Sequence, residues 1–302
     1  MEFLRMLEGI RDPFWDFVMR AVTILGEETV FLGVVMLLFW CVDRKMALRI
    51  GIAGLASTAL NILLKAIFIV PRPWVIDPTF TIVEAAREAA SGYSFPSGHT
   101  QSACSLFLFL ALYAKKRWQK ALCLSAILLT AFSRMYLGVH TPLDVGVGLL
   151  AAAMVVLVCS AVYRKYGDQG VRMVYLGAVA LSIAAFCVLY FLQPRAGQVV
   201  QFDAHMRENA WTVFGAFLGI GAYLLLEKKL KTGAQKTLAA KFVQTMLGLI
   251  AVLALKNVLK APLDLLFVGH ESANALRYCL MVLAGMLGVP ILMDSIVRWR
   301  RK

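Results

Sequence analysis

Charged side chains are scarce in this 302-residue chain. Asp, Glu, Lys and Arg make up 16% of it, against roughly 25% in a typical soluble domain, while apolar residues reach 60%. The chain has too few polar residues to cover the surface of a water-soluble globular protein. The composition also excludes a disordered chain, a collagen and a disulfide scaffold. The sequence therefore predicts an all-α membrane protein, a polytopic bundle of transmembrane helices.

Signals for several other kinds of site are also missing. The six cysteines lie in or beside apolar runs and none forms a CxxC pair, so we interpret them as small buried hydrophobic residues. The sequence contains no glycine-rich nucleotide loop, no zinc-binding helix and no basic-aromatic nucleic-acid pattern. We therefore expect no cofactor, no metal and no nucleic-acid partner.

Long apolar stretches dominate what remains. A bilayer core of about 30 Å needs about 20 helical residues, which serves as the criterion for a span. The predicted spans cover residues 22–42, 46–70, 97–114, 120–136, 142–163, 172–192, 211–227, 242–262 and 278–296. The third and fourth are short, so we expect tilt or buried polar ends there.

The start of the chain, residues 1–21, has a different pattern. Its apolar residues recur at spacings of three and four, namely Phe3, Leu7, Ile10, Phe14 and Phe17. This spacing predicts an amphipathic helix lying on the membrane surface. Acidic residues stand where a cleavable leader carries basic ones, so the sequence predicts no signal peptide.

Basic residues are distributed unevenly over the predicted connections. Lys and Arg number 31 against 18 acidic residues, and alternate connections together with the C-terminal tail hold 19 of the 31. The positive-inside rule places these connections and the C-terminus in the cytoplasm. The remaining connections then face outwards. This pattern favours a bacterial inner or plasma membrane, with the endoplasmic reticulum as the alternative.

Three polar clusters interrupt the apolar chain, and the alternation of the spans places all three at the outer face. The first contains Lys65 and Arg72, which are seven residues apart, so on one helix they share a face about 10 Å apart. Two long cationic side chains at that distance can reach a single dianion. Pro71 and Pro73 then end the helix.

The second cluster opens the third predicted span. Pro96 suits a first helical turn, and Ser97 and Gly98 follow it with backbone N–H groups that have no partner within the helix. A helix N-terminus of this kind binds anions, and glycine lets an anion approach closely. His99 comes next and supplies an imidazole at the same end.

The third cluster joins the fourth span to the fifth. Arg134 offers a planar fork of donors for phosphate oxygens. Thr141 and Asp144 have the pattern of a helix cap and a first-turn acid, so His140 stands just ahead of the helix with the carboxylate beside one ring nitrogen. Cations, a helix N-terminus and two histidines on one face predict in-line phosphoryl transfer, with one imidazole attacking phosphorus and the other protonating the leaving oxygen.

These clusters also resemble a known family. In order and spacing they are similar to the three signatures of the type-two phosphatidic acid phosphatase superfamily, which includes the membrane lipid phosphate phosphatases. The matching positions are Lys65-x6-Arg72-Pro73, Pro96-Ser97-Gly98-His99 and Ser133-Arg134-x5-His140-x3-Asp144.

The resemblance implies a role for each motif residue. It implies His140 as nucleophile through a phosphohistidine, Asp144 as its orienting partner and His99 as general acid and base. It implies no metal requirement and a phosphate cradle made of Lys65, Arg72, Ser97, Gly98 and Arg134. It also implies a six-helix phosphatase core over 22–192, which leaves 193–302 as a transmembrane extension of unknown role.

The function expected from these residues is hydrolysis of a phosphomonoester or pyrophosphate on a lipid at the extracytoplasmic surface. The resemblance implies phosphatidic acid, phosphatidylglycerophosphate, undecaprenyl diphosphate and a sphingoid phosphate as substrates, and the sequence does not separate them. The alternative is a lipid transporter or binding protein that uses the anion site without turnover, which the three extra spans favour. Intact His99, His140 and Asp144 argue against it, because binding alone needs no nucleophile. Halogen oxidation on the same scaffold is disfavoured, since relatives with that activity are soluble.

A few further polar residues have weaker signals. Lys256 and Lys260 lie one turn apart in the outer half of the eighth span, where we expect snorkelling to the headgroups or, alternatively, attraction of a phosphorylated lipid. His205 and His270 have no motif around them, and the residues near His205 are expected to form a solvated loop. The stretch 83–90 in the longest outer loop is open to interpretation as a short amphipathic lid.

Overall fold

The computed structural model describes residues 1–90, 92–192, 200–230, 237–268 and 270–299. Helices and turns account for the secondary structure of these residues, which include no strand, so the all-α prediction is confirmed. The helices are α1 (Glu2–Glu8), α2 (Pro13–Thr23), α3 (Glu28–Cys41), α4 (Arg44–Phe68), α5 (Pro73–Ile76), α6 (Gly98–Tyr113), α7 (Arg117–Tyr136), α8 (Pro142–Cys187), α9 (Val200–Leu230), α10 (Leu238–Val258), α11 (Lys260–Leu266), α12 (Ala273–Leu283) and α13 (Val289–Trp299).

Several of these helices are long and apolar enough to cross a bilayer. By length and composition five segments of the described chain qualify, and a sixth arises if Pro13–Gly26 and Glu28–Cys41, bent by 49°, form one span. The five are Arg44–Ile76, Pro142–Phe191, Ala204–Glu227, Ala240–Leu266 and Ala273–Ile296. Nine spans remain a prediction: α6 has only 16 residues, about 24 Å, and α8 joins the predicted fifth and sixth spans.

The helix α8 contains the predicted connection between those two spans. Gly167 has φ 56° and ψ −127°, which breaks the helical path inside the element. The connection is therefore a break at one residue rather than a loop, and glycine allows it because L side chains rarely adopt a positive φ.

The N-terminal segment forms two helices, so the prediction of a single amphipathic helix over 1–21 is wrong. Asp12 separates the two helices, because its carboxylate accepts hydrogen bonds from the N–H groups of Phe14 and Trp15 and so caps the start of α2. Leu7 is buried, whereas Phe14 and the other three aromatic or aliphatic residues of the predicted stripe are exposed. The apolar residues therefore divide between packing inside the protein and an exposed set.

By its contacts the described chain divides into two compact units. Unit 1 comprises Met1–Phe31 and Ala56–Arg207, and unit 2 comprises Leu32–Leu55 and Glu208–Lys302. This differs from the predicted boundaries after residues 21 and 192, because α3 and the first half of α4 pack with the C-terminal helices. All eight predicted site residues lie in unit 1.

Within unit 1, α6 is the central helix. It packs against both α7 and α8, and α7 also packs against α2. Leu106 and Phe109 of α6 are fully buried in this packing. The apolar residues of α6 are not confined to one face. This is typical of a helix that other helices enclose on several sides.

Within unit 2, small residues let helices approach closely. Gly215 and Gly219 lie one turn apart on α9, and a Cβ at Gly215 would be 2.2 Å from the carbonyl oxygen of Ala275 on α12. This is the small-xxx-small spacing that allows close helix contact in membranes. Trp40 fills a second groove, since its ring lies 2.3 Å from where a Cβ of Gly248 would stand.

The close contact of α9 with α12 gives a stability prediction. We expect Gly215→Ala to lower the free energy of unfolding of unit 2 by about 1–3 kcal/mol, because the new methyl group overlaps backbone that cannot move aside easily. Gly33→Ala in α3 is the matched control, as a Cβ there meets nothing within 4 Å. Thermal unfolding in detergent, followed by tryptophan fluorescence, measures both; equal midpoints for the two variants would contradict the packing described here.

Candidate active site

Lys65 and Arg72 enter the site from the end of α4. The helix stops at Phe68, so the prediction that both residues share one helical face is wrong. Ile69 has φ 50°, an unusual conformation for a β-branched residue, and it redirects the chain immediately after the helix. Arg72 then reaches the site from the residue preceding α5. The two cations are close because of this turn rather than because of helical spacing.

Backbone carbonyl groups hold both cations. The Nζ of Lys65 donates to the carbonyl oxygen of Tyr93, and the Nε of Arg72 donates to that of Gly92 at 3.0 Å. The Nη1 of Arg72 also donates to the carbonyl oxygen of Val139 at 2.9 Å. Lys65 is 9% exposed and Arg72 2%. Both charged groups are thus withdrawn from water and oriented by neutral acceptors.

The second motif forms the start of α6, with one difference from the prediction. Pro96 precedes the helix instead of lying in its first turn, Ser97 is the residue before it, and Gly98 begins it. The N–H of Ser97 donates to the carbonyl oxygen of Asp144 at 3.0 Å and is not available to an anion. The first-turn N–H groups from Gly98 onwards remain the donors of the helix N-terminus.

His99 is half-buried at this helix start, and one of its ring nitrogens is buried without a partner. Its Nε2 makes no hydrogen bond. Arg134, in the last turn of α7, has the same property: it is fully buried, and its Nε and Nη2 lack partners while Nη1 donates to the hydroxyl of Thr23 at 2.8 Å. Buried donors without partners are costly, so the Nε and Nη2 of Arg134, and the Nε2 of His99 when it carries a proton, are suited to bind an anionic acceptor.

The third motif forms the start of α8 as predicted. Thr141 precedes the helix and Pro142 is its first residue. The hydroxyl of Thr141 accepts from the N–H of Asp144 at 3.2 Å, and the carboxylate of Asp144 accepts from the N–H of Thr141 at 2.7 Å. This reciprocal cap fixes Asp144 at the helix start. Gly138, with φ 79°, makes the tight turn from α7 that brings the chain back to this point.

His140 is the centre of the cluster. Its Nε2 lies 2.9 Å from the Nη1 of Arg72, and its Nδ1 lies 3.7 Å from the Oδ2 of Asp144. An arginine can only donate, so we assign a lone pair to Nε2 and the proton to Nδ1, on the side of the carboxylate. This tautomer leaves a lone pair on Nε2, as the predicted role of His140 as nucleophile requires.

The electrostatics of the pocket support a neutral imidazole. His140 lies in the connection between α7 and α8, and burial lowers its pKa well below the usual value. The positive charges of Arg72, Arg134 and Lys65 lower the pKa further, and His99 contributes in the same direction. Lys65, Arg72, His99 and Arg134 thus all lie close enough to His140 to influence its pKa.

Sequence reasoning missed the groups that support these residues. The hydroxyl of Ser94 donates to the Oδ2 of Asp144 at 2.7 Å. Asn61 donates to the side chain of Gln101 at 2.8 Å and to the carbonyl oxygen of Pro96 at 3.2 Å, and Gln101 donates to the carbonyl oxygen of Ser57 at 2.7 Å. Asn61 lies one helical turn before Lys65, which is the signal that marks it as a neighbour of the site.

The weaker sequence candidates lie elsewhere. The residues around His205 are helical, in α9, rather than a loop. His270 is exposed and contacts Ser272. Lys256 is partly buried in α10 and Lys260 is exposed at the start of α11, so their role in attracting a substrate stays a prediction.

The predicted lid is not a helix. Only Glu84–Ala86 of this stretch forms a single 3-10 turn. Ala86 and Ala90 are buried against Met19 and the residues that follow α7. The stretch is therefore part of the core of unit 1, because its small apolar side chains fit the space beside α2.

No group of three or more His, Cys, Asp or Glu side chains that could hold a metal occurs in the part of the chain that the structure describes. Catalysis without a metal was inferred from the motifs and stays a prediction.

Comparisons with known proteins agree with the motifs. The model of the PAP2 superfamily matches residues 46–168, and that of the transmembrane extension of PAP2 superfamily phosphatases matches residues 211–296. The chain belongs to the PAP2 superfamily. Membership, the second match and the apolar helices together make it a multi-pass membrane protein of that superfamily.

Individual PAP2 relatives are similar over part of their length. The Dictyostelium discoideum protein named "probable sphingosine-1-phosphate phosphatase" is 28% identical over 63% of this chain and 49% of its own. An undecaprenyl-diphosphatase of Bacillus subtilis is 32% identical over 42% of this chain and 60% of its own. A lipid A 4'-phosphatase of Bacteroides thetaiotaomicron is 24% identical over 49% and 70%. The chain thus spans about half to three fifths of the first two relatives, and no solved structure matches it significantly.

The contact between Ser94 and Asp144 gives a prediction for this site. We expect Ser94→Ala to lower kcat/KM for phosphate release roughly 10–100-fold, because a hydrogen bond to a buried charge contributes about 1.5–3 kcal/mol. In an Asp144→Asn background the same change is expected to add much less, since the serine acts through the carboxylate.

Ser105→Ala is the matched control. Ser105 is a buried serine of α6 whose hydroxyl has no partner, so its loss is expected to leave kcat/KM unchanged. Equal losses from Ser94→Ala in both backgrounds would show that Ser94 does not act through Asp144.

Proposed function

We propose that this PAP2 superfamily member is a membrane lipid phosphatase that hydrolyses a phosphomonoester or pyrophosphate through a phosphohistidine. The observation that carries the proposal is that Arg134 and His99 have buried nitrogens without partners and lie close enough to His140 to lower its pKa. A phosphoryl group supplies the acceptor oxygens that these donors lack. The relatives support the same reaction class, as each is named as a phosphatase of a phosphorylated lipid.

Binding comes first in the proposed mechanism. Lys65, Arg72 and Arg134 neutralise the phosphoryl oxygens, and the first-turn N–H groups from Gly98 onwards add donors at the helix N-terminus. Arg72 is then shared between the substrate and the carbonyl groups that orient it. Its contact with Nε2 of His140 is given up to the phosphoryl oxygen, which exposes the lone pair.

Two displacements at phosphorus complete the reaction. The Nε2 of His140 forms a bond to phosphorus as the bond to the lipid oxygen breaks, and His99, protonated once the negative charge of the bound phosphoryl group offsets the surrounding cations, gives its proton to that oxygen. Asp144 stabilises the proton on Nδ1 as positive charge develops on the ring. Water then attacks the phosphohistidine, His99 takes one proton from it, and inorganic phosphate leaves with His140 restored.

The position of the site supports a lipid substrate. The motifs lie at the ends of α4 and α7 and at the starts of α6 and α8, next to apolar helical segments. Such a position lets the headgroup enter the cradle while the lipid tail stays in the bilayer. Names of the relatives indicate a sphingoid phosphate, undecaprenyl diphosphate or lipid A phosphate as the class to test, beside phosphatidic acid and phosphatidylglycerophosphate.

The proposed orientation rests on the distribution of basic residues. With 19 of the 31 lysines and arginines in alternate connections and the tail, those connections face the cytoplasm. The active site then faces the extracytoplasmic side. Three protein cations around one phosphate take the part that a divalent metal has in other phosphoryl-transfer sites, so we propose turnover without a metal.

A phosphate-release assay tests the function. Purified protein is given each of the five lipid phosphates in detergent with EDTA present, and we expect release from at least one. His140→Ala is expected to abolish it, because the nucleophile is lost, while the control His270→Ala, at an exposed histidine, leaves it unchanged. Lipid transfer between vesicles that survives His140→Ala, without release by the wild type, would instead establish the binding or transport alternative.

The lowered pKa of His140 gives a prediction for pH dependence. Since attack needs the neutral ring, kcat/KM falls as the pH drops through the pKa of the free enzyme, and we expect this acid limb below pH 6.5. Arg72→Gln removes a positive charge beside the ring, so the pKa of His140 rises and the acid limb moves to higher pH.

The comparison uses one substrate for both proteins, so ionisation of its phosphate contributes equally to both profiles. An acid limb that stays in place or moves to lower pH in Arg72→Gln would contradict the assigned role of Arg72.

A further inference from the structure

The N-terminal segment lies outside the part of the chain that matches the PAP2 family model. That match begins at residue 46, whereas residues 1–31 belong to unit 1, the unit that holds the candidate site. Two residues of this segment, Thr23 and Gly26, contact motif residues directly. The catalytic motifs in the sequence do not predict these contacts.

Thr23 fixes one arm of the guanidinium of Arg134. The Nη1 of Arg134 donates to the hydroxyl oxygen of Thr23 at 2.8 Å, and the two residues are 0% and 6% exposed respectively. A guanidinium presents Nε–H and one Nη2–H as parallel donors along one edge, which is the pair that grips two phosphoryl oxygens. Anchoring Nη1 leaves that edge unpartnered, as observed.

Gly26 packs on the first turn of α6. A Cβ at this position would lie 2.6 Å from the carbonyl oxygen of His99 and 2.9 Å from its Cβ. The 3-10 turn Ile24–Gly26 therefore touches the helix start that carries the proposed general acid. The segment thus reaches both residues whose buried donors lack partners.

Polar contacts hold the segment in this place. Arg11 donates through Nε to the carbonyl oxygen of Tyr136 at 2.8 Å and through Nη1 to that of Thr81 at 2.7 Å. Tyr136 is the last residue of α7, two residues after Arg134. Glu8 accepts from the N–H of Thr81 at 2.8 Å. These contacts fasten the segment to the end of α7, the helix that carries Arg134, and to the loop around Thr81.

We propose that Thr23 is a positioning residue for substrate phosphate, and that the N-terminal segment completes the catalytic pocket by holding the guanidinium of Arg134. The proposal rests on the proposed phosphatase function. It assigns a catalytic purpose to a segment that the family model leaves out. The ligand it concerns is the phosphoryl group of the substrate, and orthovanadate serves as a probe of the same pocket because it mimics five-coordinate phosphorus.

The experiment compares Thr23→Val, Thr23→Ser and wild type. We expect Thr23→Val to raise KM for the lipid phosphate and Ki for orthovanadate about tenfold, because the guanidinium loses its anchor and no longer presents its edge in one orientation. Thr23→Ser keeps the hydroxyl and is expected to restore both values to within about twofold of wild type. Thr130→Val is the matched control, since Thr130 is fully buried in α7, the helix that carries Arg134, and its hydroxyl has no partner.

A merely structural role for Thr23 predicts a different result. Thr23→Val would then reduce the amount of folded enzyme and lower the apparent kcat, with KM and Ki unchanged, and this result would overturn the proposal. In an Arg134→Lys background, which lacks the fork, Thr23→Val is expected to change Ki for orthovanadate less than twofold. A tenfold effect in that background would likewise overturn it.

Failure of the proposed function is distinguishable from failure of this inference. A wild-type protein that releases no phosphate from any of the lipids refutes the function. Orthovanadate binding, followed by the shift of the thermal unfolding midpoint, then tests Thr23 separately: the shift is expected to shrink in Thr23→Val and to persist in Thr23→Ser and Thr130→Val. If Thr23→Val does not fold, Thr23→Ala provides the same comparison, and equal shifts in all variants would refute the role of Thr23.

Discussion

The arrangement of the site depends on the burial of positive charge. Of the eight predicted site residues three are cations and one is a carboxylate, and Lys65, Arg72 and Arg134 are all at least nine-tenths buried. Withdrawing such charges from water is expensive unless an opposite charge replaces the hydration. A dianionic phosphate compensates the excess of two positive charges. Burial and the same excess of positive charge lower the pKa of His140, so in the proposed mechanism the charges that bind the phosphate also favour the neutral imidazole.

The candidate site residues lie at helix ends, where polar groups can be placed in an otherwise apolar bundle. α4 and α7 end at the site, and α6 and α8 begin there. Each terminus has backbone groups with no partner inside its helix, and each can therefore orient a side chain or an anion without a further polar residue. The reciprocal cap between Thr141 and Asp144 is an example, since the same hydrogen bonds start α8 and hold the carboxylate beside His140.

The candidate reactive residues can be predicted from the sequence, whereas the residues that contact and orient them cannot. Histidines and cations inside apolar runs are conspicuous, so their convergence was predictable from spacing and the alternation of spans. Ser94 and Thr23 resemble the many hydroxyl residues that satisfy themselves within membrane helices, and only the folded contacts distinguish them. The path from Lys65 to Arg72 was wrong for a similar reason, because periodicity alone does not reveal a turn at Ile69.

The acceptors described here for the three cations are neutral, and this has a consequence for the proposed catalysis. Lys65 and Arg72 donate to backbone carbonyl groups, and Arg134 donates to a hydroxyl. A carboxylate in any of these places would orient the cation equally well, yet it would also cancel the charge that attracts the phosphate and lower its pull on the developing charge of the transition state. Neutral acceptors orient the cationic side chains without reducing their positive charge. The polar groups around the site, including those from the N-terminal segment, therefore orient the cations. Because these groups are neutral, the site keeps the positive charge that attracts a phosphate.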